Sequence, residues 1–262
     1  MEDLNLVFGT PRPVALVTGS GAPRIGNCIA RTLFARGYRL VLHARESIAD
    51  AHTTADELDA GGSDTLVLSG NLAEEAAAYA LIDGARDHFG RLDVLVNCAA
   101  IWHARTLEET TAQDLRDHFD ANTLASFLCA QRAGLIMNGQ SHGGAIINLG
   151  DWATVRPYPD YAAYFPSKGA IPTMTRSLAV ELSRRNPRIR VNAALPGPAM
   201  LPDTLPQTER ENAIHATLLQ KAGRPEDIAN AVAFLAESTF ITGVCLPVDG
   251  GRSISPNSNT AA

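Results

Sequence analysis

The chain is predicted to fold as a doubly wound α/β domain, a parallel sheet of about seven strands with helices on both faces, and three observations predict it. Short β-rich apolar runs alternate with helix-period segments from end to end, the pattern of a sheet whose crossovers are helices. A glycine-rich turn, Val17-Thr18-Gly19-Ser20-Gly21-Ala22-Pro23-Arg24-Ile25-Gly26, joins the first apolar run to the first helical pattern. The 262 residues, 45% hydrophobic and 19% charged, show no internal repeat and no break in composition, as suits one domain with a well-buried core.

In chain order, Val14–Thr18 reads as the first strand and Ile25–Arg36 as the first helix, stopped by Gly37. Arg39–His43 and the helix Ala49–Ala60 follow, the latter ended by Gly61-Gly62. Thr65–Ser69 and Glu74–Phe89 repeat the alternation, then Val94–Asn97 and a long helix Thr111–Met137. Ala145–Leu149, a helix Tyr161–Arg184, the strand Arg190–Leu195, a helix Pro225–Ala236 and a last strand Val244–Val248 complete it. The domain is expected over residues 1–252, with a small polar tail, 253–262, frayed and flexible.

The 22 basic and 28 acidic residues give a formal charge of −6, and no basic run resembles a nucleic-acid footprint. No apolar stretch approaches the roughly 18 residues of a membrane span, and the acidic start MEDLNLVFGTPRP lacks a signal-peptide pattern. Cys28, Cys98, Cys129 and Cys245 are far apart, without C-x-x-C spacing, and read as reduced thiols. The expectation is a soluble cytoplasmic protein without nucleic-acid or membrane partners and without a metal site.

Asp151 is followed thirteen residues later by Tyr164, and Lys168 lies four beyond that. Residues four apart share a helix face, which brings the ammonium beside the phenol. A nearby cation is expected to lower the phenol pKa and let it donate a proton near neutrality. From Val14 to Arg252 the chain resembles the short-chain dehydrogenase/reductase family, a Rossmann-fold group in which such a Tyr protonates substrate as NAD(P)H delivers hydride. Most of that family has Ser where this chain has Asp151. The carboxyl, with Arg24 in the glycine-rich turn, resembles the pteridine reductase and dihydromonapterin reductase branch.

The resemblance implies a set of cofactor contacts. Gly19, Ile25 and Gly26 would cradle the phosphates at a helix N-terminus, although Arg24 replaces one family glycine and the loop is one residue longer. Arg24, His43, Arg45 and Ser47 offer donors to a 2′-phosphate, and the strand tip lacks the acid that binds a ribose 2′-hydroxyl. NADPH is therefore expected. Asn71 and Leu72 match the adenine contact. Asn97, Ala99 and Ala100 match N-N-A-G with Cys98 and Ala100 substituted, and Asn97 reads equally as a sheet brace. Pro196 and Gly197 match the nicotinamide contact, without the usual Thr beyond. Tyr164 and Lys168 serve both cofactor and catalysis.

For chemistry, Asn122 matches the family's helix Asn, part of a proton relay to Lys168; its bland reading is an amide satisfying a distorted turn. Trp102 and Tyr161, the latter expected on the helix face of Tyr164, are candidate walls for a flat substrate. The proline-broken segment Pro198–Pro206 is placed where the family keeps a substrate lid. A pterin presents C=N bonds, so hydride to carbon needs a proton at nitrogen, which Asp151 beside Tyr164 would supply if burial raises its pKa. The reading is reduction of a dihydropterin or dihydrofolate, with a ketone or aldehyde reductase as the alternative. A non-catalytic NADPH sensor is opposed by the intact Tyr164 and Lys168. The ending Phe240–Arg252 implies a homo-oligomer, a tetramer by resemblance.

Overall fold

The apolar run Val14–Val17 (β1) is buried at every position, as a parallel strand covered on both faces must be. The sheet is completed by β2 (Arg39–Ala44), β3 (Thr65–Ser69), β4 (Val94–Asn97), β5 (Gly144–Leu149), β6 (Ile189–Pro196) and β7 (Cys245–Val248). All neighbours are parallel, in the order β3-β2-β1-β4-β5-β6-β7. The structure, a computed structural model, describes residues 3–201 and 205–256.

The helices are α1 (Leu4–Phe8), α2 (Ile25–Ala35), α3 (Ile48–Leu58), α4 (Glu75–Phe89), α5 (Ala112–His118), α6 (Ala125–Asn138), α7 (Tyr164–Ser183), α8 (Gln207–His215) and α9 (Pro225–Glu237). On one sheet face Ile29 and Leu33 of α2 and Ile228 and Val232 of α9 share a core with Leu40, Leu42 and Val94. On the other, Ile82 of α4, Met137 of α6 and Leu182 of α7 pack with Leu16, Leu95 and Ile146. Each such fully buried side chain contributes roughly 1.5–3 kcal/mol. Buried Arg190 donates to the carbonyls of Leu235 and Ala236 at 2.8 and 2.5 Å, satisfying the end of α9.

Four features depart from the expected elements. The long helix at 111–137 is interrupted by a π turn, Phe119–Leu124, because the Asn122 side chain bonds outside its helix. The helix expected from Tyr161 starts only at Tyr164. Asp160 is in the left-handed region, φ 67°, and its carbonyl accepts from Arg105 N–H, which holds Tyr161 in a bridge opposite Arg105. Two short helices were not predicted: α1, capped by Asp3 and Gly9, and α8, which follows Pro206. The start of the expected tail is tied down, since Ser253 N–H donates to Asp249 and Ser255 is buried; residues 257–262 lie outside the described residues.

Strand order reverses at β1, which has β2 on one side and β4 on the other. Ligands of such sheets bind beyond the carboxyl ends of the strands at this point. The segments leaving β1, β4, β5 and β6 line one cleft of about 1670 Å³. That exceeds the roughly 300–1,000 Å³ of a site for one small ligand, leaving room for a dinucleotide and a substrate together. No helix among the described residues is long and apolar enough to cross a membrane.

Candidate active site

At the β1 end, Gly19 has φ 65°, and a Cβ there would lie 2.8 Å from Ala99 Cα; only glycine lets the two loops meet. Thr18 closes the same contact, its Oγ1 accepting from the N–H groups of Cys98 and Ala99 at 2.9 and 3.0 Å. Thr18 belongs to the glycine-rich turn, but no motif assigned it a role of its own. Ile25 and Gly26 open α2, whose first N–H groups have no partner within the helix. Arg24, at the cap position, is exposed and makes no ion pair among the described residues. Arg45 pairs with Glu46 at 2.6 Å. Ser47, Asn71, Leu72, Ala99 and Ala100 also line the cleft, although Leu72 is mostly core and Asn71 donates to Glu74 at 3.0 Å. This donor set fits a dinucleotide's phosphates.

His43 is a correction. Its Nδ1 accepts from Gly19 N–H at 3.2 Å and its Nε2 lies 3.0 Å from Gly70 O, so the proton assigned by this network sits on Nε2. With both nitrogens occupied and the ring 2% exposed, it braces the glycine-rich turn and offers no donor to a phosphate. Burial lowers its pKa below 6.5. A depressed histidine favours the fold above its unfolded pKa and loses that contribution as pH falls through the folded one. Thermal melting between about pH 7 and pH 5 should therefore fall less steeply in His43→Gln than in the unaltered protein; equal slopes would contradict the buried neutral ring.

Asn97 likewise braces the sheet. Its amide donates to Ser126 O at 3.0 Å and to Asn148 Oδ1 at 2.9 Å, and Asn148 donates to Thr175. Pro196 and Gly197 line the cleft where β6 ends, and a Cβ on Gly197 would meet Asp249 Cα at 2.4 Å.

At the reactive end the Tyr164 hydroxyl donates to Asp151 Oδ2 at 2.7 Å, while Asp151 Oδ1 accepts from Ala153 N–H at 2.7 Å. Burial pushes the Asp151 carboxyl above its ordinary value, against these hydrogen bonds and the Lys168 charge, which pull it down. The phenol moves opposite to expectation. Burial first, then the Asp151 charge, raises Tyr164. Lys168 is buried, its Nζ donating to Leu149 O at 2.8 Å, and burial lowers its own pKa. Asn122, fully buried, accepts from Ile101 N–H at 2.8 Å and donates to Ser167 Oγ at 3.0 Å, whose hydroxyl donates to Tyr164 O. Asn122 thus reaches the Tyr164 backbone through Ser167.

The substrate side is aromatic. Trp102 and Tyr161 stack with centroids 4.9 Å apart and planes 8° from parallel, while Tyr158 meets Tyr161 edge-on. One indole face is therefore already covered by a phenol. Trp152 and Arg156, which no motif marked, and Arg252, the last residue of the Phe240–Arg252 ending, also line the cleft. Of the lid segment, Pro198, Met200, Leu201 and Leu205 line the cleft, and residues 202–204 lie outside the described residues. Among the described residues no group of three His, Cys, Asp or Glu is placed to hold a metal.

A family model described as enoyl-(acyl carrier protein) reductase matches residues 21–253. Over 250 residues, 92% of this chain and 96% of the relative, the sequence is 37% identical to a protein of Streptomyces violaceoruber named as ketoacyl reductase 2 of the granaticin polyketide synthase. The chain belongs to the short-chain dehydrogenase/reductase family. As a member of it, the protein is an oxidoreductase of a group that uses NAD(P)(H). A second family relative is pteridine reductase 1 of Leishmania tarentolae, 33% identical over 284 residues, with 92% of this chain and 96% of the relative covered. The family fold is shared with a crystal structure from Sinorhizobium meliloti 1021 named for a short-chain alcohol dehydrogenase. The TM-score is 0.85 and the identity 29%, over 93% of this chain and 97% of the other.

Proposed function

We propose that the chain is an NADPH-dependent pteridine reductase, taking a dihydropterin or dihydrofolate to the tetrahydro form. The observation that carries this reading is the 2.7 Å hydrogen bond from Tyr164 to a carboxyl whose pKa burial raises. A neutral serine would serve a carbonyl oxygen, whereas a carboxyl able to keep its proton suits a ring nitrogen. The nicotinamide cofactor, when bound, supplies the hydride. Tyr164 and Asp151 hold the proton between Oη and Oδ2, and Ala153 N–H fixes the carboxyl plane. Lys168, buried and lining the same cleft, is tethered to Leu149 O. The Trp102–Tyr161 stack offers a flat aromatic edge to a planar ring.

Steady-state NADPH oxidation with dihydrobiopterin, dihydrofolate and simple ketones tests the reading; turnover of ketones with no pterin turned over overturns it. That outcome would select the second reading, a general carbonyl reductase, which the likeness to a ketoacyl reductase favours. Exposed apolar side chains on and beside the π turn, among them Phe119, Leu124 and Phe127, support a homo-oligomer, a tetramer by family resemblance.

NADPH specificity is assigned to Arg24, with Arg45 and Ser47 beside it. A lost arginine–phosphate contact costs roughly 1.5–3 kcal/mol. Arg24→Ala should therefore weaken NADPH about ten- to hundredfold and leave NADH nearly unchanged. Dissociation constants for both cofactors decide it: equal losses, or an unaltered protein that prefers NADH, would remove the assignment.

A further inference from the structure

Two arginines to which no sequence motif gave a role in the site, Arg156 and Arg252, line the cleft. The Arg252 guanidinium carbon lies 5.0 Å over the Trp152 ring, and Trp152 directly follows Asp151 in the chain. Arg252 Nη1 donates to Ala216 O at 3.3 Å, and Arg156 Nη1 donates to Arg252 O and Ser255 O at 3.3 and 2.5 Å. One nitrogen of each guanidinium is thus used on backbone. Among the described residues neither side chain forms an ion pair. The acids lining the same cleft form no ion pair with them: Glu46 pairs with Arg45, and Asp151, Asp160 and Glu209 pair with neither arginine.

Two partly buried like charges without counterions raise each other's energy, and both burial and Arg156 pull Arg252 below the ordinary arginine value. An anion would relieve this, and the planar fork of a guanidinium matches carboxylate or phosphate oxygens. A purely structural clamp would need only the backbone bonds from one nitrogen. We propose that Arg156 and Arg252 form a subsite for an anionic group, a carboxylate or a phosphate, on an arm of the substrate extending past its reacting atoms. The pteridine-reductase reading on which this rests supplies the ring, and the subsite selects substrates with a charged arm over those with a neutral one.

The test is calorimetric titration of the full chain with NADP⁺ bound, using two matched pairs. Dihydrofolate carries carboxylates that dihydrobiopterin lacks, and acetoacetyl-coenzyme A carries phosphates that acetoacetyl-N-acetylcysteamine lacks. In at least one pair the charged member should bind about tenfold more tightly, a preference that salt weakens. The preference should shrink toward unity in Arg252→Gln and in Arg156→Gln, and largely survive in Arg252→Lys, which keeps the charge. Selectivity confined to the folate pair identifies a carboxylate subsite; selectivity confined to the thioester pair identifies a phosphate subsite. No preference in either pair, a preference that survives both glutamine variants, or failure of all four compounds to bind overturns the proposal. Turnover is read separately, so a protein that reduces no pterin yet shows arginine-dependent selectivity in the thioester pair loses the pteridine reading and keeps the subsite.

Discussion

Tyr164→Phe is expected to slow hydride transfer by about two to four orders of magnitude, the usual worth of a positioned proton donor. The substitution keeps the ring, which is 5% exposed and packs edge-on against Tyr161 and His118 at 6.3 and 6.1 Å. Only the hydroxyl and its 2.7 Å bond to Asp151 disappear. Asp151 then loses one of the hydrogen bonds that pull its pKa down, so its carboxyl should move further up. Leaving a partly buried carboxyl short of a donor costs about 1–3 kcal/mol of stability, a modest change beside the kinetic loss. Single-turnover decay of NADPH fluorescence with saturating substrate is the measurement, with cofactor affinity as control. Near-full turnover would place the active site elsewhere.

Much of this arrangement was legible because the chemistry is local in sequence. Lys168 follows Tyr164 by one helical turn, and α7 carries both as periodicity predicts. Asp151 precedes them at the end of β5, a strand readable from its apolar run, so the carboxyl emerges on the same side of the sheet. What periodicity cannot report is the partner of a polar group. His43 ends a strand in a place suited to phosphate binding, yet its ring turns inward because Gly19 N–H and Gly70 O both need a partner. The direction of the Tyr164 shift, upward, comes from burial and the Asp151 carboxylate, neither of which sequence spacing reports. Contacts between distant segments were also invisible. Tyr161 reaches Trp102 where Asp160 takes a positive φ and the loop pairs with Arg105, and Arg252 lies over the Trp152 ring. The π turn was foreshadowed by a lone amide, Asn122, within an apolar helical pattern, although its register was not.

Asp151→Ser should separate pterin chemistry from everything else the site does. The replacement is conservative for the backbone: Asp151 caps the short turn Trp152–Thr154 by accepting from Ala153 N–H, and serine is an equally good cap. The fold and cofactor affinity should therefore persist, as should the tether of Lys168 to Leu149 O. Lost is a carboxyl whose pKa burial raises and which accepts from the Tyr164 hydroxyl. Pterin turnover should drop ten- to a thousandfold, roughly 1.4–4 kcal/mol in the barrier. Reduction of simple ketones, for which Tyr164 alone protonates oxygen, should survive or emerge. The pH dependence supplies an independent sign. If the protonated carboxyl is the active form, pterin kcat/KM in the unaltered enzyme falls as pH rises through the raised Asp151 pKa, and that limb is absent from the serine variant. An unchanged pterin rate with an unchanged pH profile would reduce Asp151 to a turn cap and return the protein to carbonyl reduction.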